Sequence, residues 1–171
     1  MVRVRGLPHD RETYCMMAVN NWSRMEPPLP NEYFGNSVQI LRAKASAGEL
    51  MEQGFGWVAR RLHETVAGHS DAEVRQWVEK WIEDPCVYQL GQIFNPFSTI
   101  MVSSPRFPMY ENEFGMGKAV AIRSGYANKS DGNVAFYPGY EGGESMDLEV
   151  CLLPEAMSGL ESDREFMDVV S

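Results

Sequence analysis

An α+β fold, a mixed or antiparallel sheet backed by helices, is the class that the sequence predicts. Three observations carry this. β-rich segments stand near both ends of the chain, two helices opened by capping boxes lie between them, and Gly- and Asn-containing turn clusters separate the later strands.

Residues 12–20, ETYCMMAVN, read as the first strand. The stretch 27–36, PPLPNEYFGN, holds three prolines and reads as an extended connection, because proline fixes φ and removes an amide donor. In SVQILRAK (37–44), Val38, Ile40 and Arg42 alternate at the period of a strand. Ser46-Ala47-Gly48-Glu49 is a capping box, in which the Ser46 hydroxyl accepts from the Glu49 amide and the Glu49 side chain reaches back. Met51, Phe55, Val58, Ala59, Leu62 and Val66 then follow at helical spacing, and Gly68 stops the helix. Ser70-Asp71-Ala72-Glu73 is a second box. Val74, Trp77, Val78, Trp81 and Ile82 mark an apolar stripe that ends at Asp84-Pro85. Each of the two helices is expected to bury one face.

After Pro96, FSTIMVSS reads as a strand, and KAVAIRSG, GNVAFYP and DLEVCLL read as three more in an antiparallel meander. The clusters NKSDG and GYEGGES separate these, and Asp131-Gly132-Asn133 is a candidate hairpin turn. Pro154 suits the first position of a closing helix, with Met157, Leu160, Phe166 and Met167 on its apolar side.

The chain has 171 residues, 44% of them hydrophobic and 23% charged, an ordinary globular composition for a single domain spanning 1–171. Fifteen basic residues against 24 acidic ones give a formal charge of −9, which argues against a nucleic acid as partner, because phosphate binding needs clustered Lys and Arg. No stretch is long and apolar enough to predict a membrane span, and MVRVRGLPHD carries charge where a signal peptide has its apolar core. Cys15, Cys86 and Cys151 are odd in number and far apart, fitting neither a disulfide framework nor a zinc pattern, so a cytoplasmic, reducing setting is expected.

Candidate chemistry is sparse. Glu113-Phe114-Gly115-Met116-Gly117-Lys118 holds two glycines, but it lacks the four-residue spacing and the Ser or Thr of a P-loop. Nor does it close as G-x-G-x-x-G, since Ala121 stands at the last position, so it reads as a turn in which Gly115 or Gly117 takes positive φ. His9, His63 and His69 pair with no Cys or carboxylate at metal spacing and read as surface or structural histidines. No G-x-S-x-G elbow is present. Ser103-Ser104, at the end of an apolar strand and before Pro105-Arg106, are either lining for a pocket mouth or turn formers. Trp22, Trp57, Trp77 and Trp81 are expected in core or interface. No catalytic or metal-ligating residue is assigned.

PPLPNEYFGN, then SAGEL, then EFGMG, in this order and spacing, resemble the C-terminal half of the plant BAHD acyltransferases, in particular their hydroxycinnamoyl- and benzoyl-transferase-like members. The resemblance covers nearly the whole chain. It implies one half of a two-domain fold of the chloramphenicol-acetyltransferase type, with acyl-CoA as co-substrate, no permanently bound cofactor, and a small hydroxyl- or amine-bearing acceptor. The catalytic base of the family is the histidine of an H-x-x-x-D motif in its N-terminal half. Four residues after His9, His63 and His69 stand Thr13, Ala67 and Glu73, so that motif, and the domain that carries it, are absent here.

By position, the resemblance puts Phe34 and Asn36 near the inter-domain channel and Ser103, Ser104 and Arg106 on the acceptor side. It brings Lys118 toward a coenzyme A phosphate, and Glu113, Phe114, Gly115 and Gly117 form a structural element matching the family's D-F-G-W-G. Phe114 is expected to be buried, and Glu113 to pair with Arg24 or Arg42. Two departures stand out. Trp22, in Asn20-Asn21-Trp22-Ser23-Arg24, occupies the place of the first arginine of the family's N-x-R-x-R, and Ser103-Ser104 stand where the family often has Ser-Trp. The expected outcome is a chain inactive alone, or a non-catalytic interaction protein that self-associates or pairs with a full-length homologue or an N-terminal half.

Overall fold

The computed structural model describes residues 1–87 and 95–170. Five strands form one mixed sheet: β1 (Glu12–Asn20), β2 (Val38–Ser46), β3 (Thr99–Val102), β4 (Asn133–Pro138) and β5 (Met146–Cys151). Their order is β2-β1-β3-β4-β5. The two outer pairs are antiparallel, whereas β3 runs parallel to both β1 and β4. The helices are α1 (Ala47–Glu52), α2 (Gly54–Ala67), α3 (Asp71–Glu83), α4 (Pro154–Glu161) and α5 (Arg164–Met167), with short 3-10 turns at Met109–Glu111 and Tyr126–Asn128.

The α+β class and strands 12–20, 38–46, 99–102, 133–138 and 146–151 follow the sequence closely; the 27–36 connection is irregular as its prolines require, but it turns back on itself, with Leu29 N–H donating to Trp22 C=O and Tyr33 N–H to Pro30 C=O. The Ser46 box forms in full: the Glu49 amide donates to Ser46 Oγ, and Ser46 N–H donates to the Glu49 carboxylate at 2.8 Å. Pro154 sits in the first turn of α4.

Several expectations are corrected. The helix expected from 47 to 67 is two helices, because Gly54 takes φ +75° and breaks the run after Gln53. The Ser70 side chain makes no capping bond; Asp71 instead accepts from Arg75 Nε at 2.7 Å and from the Glu26 amide at 3.0 Å, tying α3 to the segment before the prolines. The apolar stripes are largely uncovered. Helix α2 has no fully buried residue and α3 only Val74, while Phe55 is 88% and Ile82 67% exposed. Lys118–Gly125 is not a strand; its Ser124 is held by the Glu149 side chain of β5 instead of by a ladder. The meander therefore reduces to the β4–β5 hairpin. Asp131-Gly132 turns the chain into β4, with Asn133 N–H donating to Ser130 C=O, rather than closing a hairpin. The closing helix also divides, with Asp163 capping α5 through the Phe166 amide.

Met16, Ile100, Val134, Ala135 and Tyr137 form the buried strand core, and Ala156 and Leu160 of α4 are buried with them. A buried ion pair fastens the periphery. Arg5 donates to Asp131 at 2.9 Å and to Ser98 C=O at 3.0 Å, and Asp131 also accepts from the Leu153 amide at 2.9 Å. One carboxylate thus joins the N-terminal segment, the approach to β3, the turn before β4 and the start of α4.

Candidate functional site

The parallel register decides where candidate residues meet. Met17 lies beside Met101, and Met101 beside Val134, so β1, β3 and β4 all end at one edge of the sheet. Asn20 pairs with Val38, which brings the 21–37 connection to that edge, and Pro138 pairs with Met146 there. Trp22, Phe34, Asn36, Ser103, Ser104 and Arg106 all follow or precede strand ends at this one edge. In open sheets the carboxyl ends of parallel strands are where ligands are commonly held.

Chain geometry fixes the local shape. The backbone of Ser103 takes φ 67°, a conformation that costs a residue with a side chain. Ser104 Oγ accepts from the Arg106 amide at 3.2 Å and Ser104 C=O from the Phe107 amide at 3.2 Å, so of the two readings of this pair, turn formation is realised. Trp22 packs edge-on against Tyr33 at 5.9 Å, and its C=O accepts from the Leu29 amide, which folds the proline segment back on the strand end. Tyr110 stacks edge-on against Tyr140 at 5.7 Å and holds the long loop after β3 near the end of β4.

Phe34, Asn36, Arg106 and Lys118 are exposed, and Ser104 is half-buried. Of these, Ser104 and Arg106 meet through the Arg106 amide, and no hydrogen bond or ion pair among the described residues joins the others. Gly115 and Gly117 take φ 78° and 88°, as the turn reading requires. Phe114 is 83% exposed, contrary to the burial expected of it, because none of the described residues folds over this loop. Phe114→Ala is therefore expected to shift stability by no more than about 0.5 kcal/mol in this chain, measured as a urea midpoint. Glu113 forms no ion pair among the described residues. Arg24, one expected partner, instead donates to the C=O groups of Val66 at 2.8 Å and His69 at 3.0 Å, closing the C-terminal end of α2.

That contact belongs to a cluster which the sequence reading passed over. His69 is buried and its Nε2 lies 2.8 Å from Asn21 Oδ1, also buried, so Nε2–H donates. Burial, and then the Arg24 charge, hold the imidazole below its ordinary value. A histidine depressed in this way stabilises the fold above its ordinary value of 6.5 and loses that contribution as the pH falls below it. The urea midpoint is expected to drop as pH falls below that value, and His69→Gln to flatten that part of the profile. The only signal for the cluster in the sequence was Arg24, the second arginine of the N-x-R-x-R-like run; Asn21 stands at one of its open positions.

His63 and His9 are exposed, and His9 faces Glu52 at 3.6 Å. Burial pushes the Cys15 thiol up to about 11, which leaves it protonated and poorly nucleophilic near neutrality. Among the described residues no cluster of three or more His, Cys, Asp or Glu could hold a metal. The arrangement offers a shaped edge with hydroxyls, amides and the exposed Arg106 guanidinium.

The model of a family described as Transferase family matches residues 1–167. An uncharacterised acetyltransferase of Arabidopsis thaliana is 33% identical over 170 residues, 98% of this chain and 38% of the relative. The BAHD acyltransferase DCR of Arabidopsis thaliana is 32% identical over 163 residues, 95% of this chain and 34% of the relative. Among solved structures, F. sporotrichioides TRI101 complexed with coenzyme A and T-2 superposes with a TM-score of 0.82 at 20% identity, over 98% of this chain and 40% of that one. This likeness is one of fold. The chain thus spans well under half the length of the relatives it matches.

Proposed function

From the membership of this chain in the Transferase family of BAHD-type acyltransferases, we propose that it supplies the C-terminal half of an enzyme acylating a hydroxyl or amine of a plant specialised metabolite from acyl-CoA. The observation that carries this is the shared edge: the parallel register gathers the positions matching the family's channel at one end of the sheet. In that role the portion of the fold outside this sequence provides the histidine base. The base takes the acceptor proton as the acceptor oxygen or nitrogen attacks the thioester carbonyl, and the coenzyme A thiolate leaves and is protonated. Phe34 and Asn36 wall the channel, Ser103, Ser104 and Arg106 face the acceptor, and Lys118 approaches a coenzyme A phosphate. The 113–117 loop, with Glu113, Phe114, Gly115 and Gly117, shapes the covering. The three free thiols support a reducing, cytosolic setting.

The test joins this chain to the preceding portion of the DCR relative, which brings the H-x-x-x-D motif. Protein-dependent formation of ester or amide from acyl-CoA and phenolic or amine acceptors is expected; a folded joined protein giving no product defeats the reading. A second reading, a non-catalytic interaction protein, is favoured by the apolar surface left open at Phe34, Trp77, Trp81, Ile82 and Phe114. Turnover by the joined protein decides between the two.

A further inference from the structure

A cavity of about 680 Å³ lies at the far end of the strands from the candidate edge. Its floor is the sheet, through Cys15 of β1 and Ala43 and Ala45 of β2. Cys15 and Ala43 are direct ladder partners, so their side chains share one face. One wall is α2, through Val58 and Leu62; the other is α4 and α5, through Leu160 and Phe166. Helix α2 itself packs on β2, the edge strand.

Two features distinguish this groove from a small-molecule pocket. A ligand pocket sets a few free polar groups in an apolar wall to orient its guest. Here the charged side chains at the rim are already engaged: Arg3 with Asp163 and Glu165, Lys44 with Glu12, and Arg61 with the C=O of Lys44 at 3.5 Å; Thr13 donates to the C=O of Phe97. The floor is also built of small side chains between walls of large ones, the relief that lets a helix backbone approach a sheet closely. A helix sets about three to four apolar side chains on one stripe in two turns, a volume of the right order for this space.

We propose that this groove is the seat of an amphipathic α-helix from the portion of the acyltransferase fold outside this chain, laid over β1 between α2 and α4–α5. The assignment rests on the family reading above and on the match to only 38% of a relative's length. It makes the contact between the two portions a helix-on-sheet layer, distinct from the channel edge.

Cys15 on the floor reports on the seat, and the exposed Cys86 serves as control. Labelling with N-ethylmaleimide at alkaline pH, followed by peptide mass mapping, compares the isolated chain with the same chain joined to the preceding portion of DCR. Cys15 is expected to label at least about tenfold more slowly in the joined protein, with Cys86 unchanged. Ala43→Trp fills the groove. It is expected to leave the Tm of the isolated chain unchanged or higher, and to lower that of the joined protein by about 3–10 °C or stop it folding. Equal labelling of Cys15 in both proteins, or Ala43→Trp tolerated in both, overturns the proposal. So does protection of Cys15 in the isolated chain that grows with its concentration, because the occupant is then a second copy. Activity is a separate readout: an active joined protein with an open Cys15 overturns the seat alone, and an inactive one with a protected Cys15 overturns the acyltransferase reading alone.

Discussion

Incubated alone with acyl-CoA and a phenolic or amine acceptor, the 171-residue chain is expected to give no product above the uncatalysed background. The reason lies in where its three histidines stand. His69 is buried, spends Nε2–H on Asn21 and is held neutral by its surroundings. His63 points from the exposed face of α2, and His9 lies outside the sheet against Glu52. Through Asn21, His69 meets the edge where Phe34, Asn36 and Ser103 gather, but it is buried, so among the described residues no exposed histidine joins the residues gathered there to take the acceptor proton. Loss of a positioned base costs about 10²–10⁴ in rate. An open edge with no opposing wall adds to this, since neither substrate is held in line for attack. Mass-spectrometric detection of product, followed against protein concentration, checks the expectation. Product rising in proportion to the pure chain, and abolished by changes at the sheet edge, contradicts it.

Asp131→Ala is expected to destabilise the chain by about 3–5 kcal/mol, because it strands a buried guanidinium. The Arg5 side chain is 7% exposed, and Asp131 is its one carboxylate partner among the described residues. Asp131 also receives the Leu153 amide at the start of α4, so the same change frees that donor. Gly132 beside it confirms how tight the junction is: a Cβ there would stand 2.4 Å from Ser98 C=O and 2.7 Å from Arg5 Nη2. For a chain of this size such a loss corresponds to a fall in Tm of about 6–20 °C. Replacing both partners by apolar residues, Arg5→Met with Asp131→Leu, is expected to recover much of it, since no unpaired charge then remains buried. Calorimetry on the two proteins separates the cost of a stranded charge from that of a lost contact. A single Asp131→Ala variant that melts with the parent removes the argument.

What could be read from the chain was what neighbours in sequence settle among themselves. The Ser46 box is a pair of bonds across three residues, so its sequence pattern suffices. Strand β2 shows its alternation in the sequence, β1 reads as a β-rich run, and Gly115 and Gly117 announce a left-handed turn. Family resemblance rested on the same kind of local runs, PPLPNEYFGN, SAGEL and EFGMG. Wherever the outcome depended on competition for partners, local pattern misled. The run AVAI is as strand-like as β3, yet residues 118–125 stay outside the ladder, with Ser124 held by the Glu149 side chain. The stripes of α2 and α3 are truly amphipathic, but amphipathicity states that a face seeks cover and not that this chain provides it; Trp77, Trp81 and Phe114 remain exposed. Arg5 with Asp131, and Asn21 with His69, are 126 and 48 residues apart and follow no spacing rule. Capping and turn bonds form within one segment and are encoded there. Strand order, the common edge of β1, β3 and β4, and buried ion pairs depend on which distant groups reach each other first and best, and the tertiary structure alone decides that.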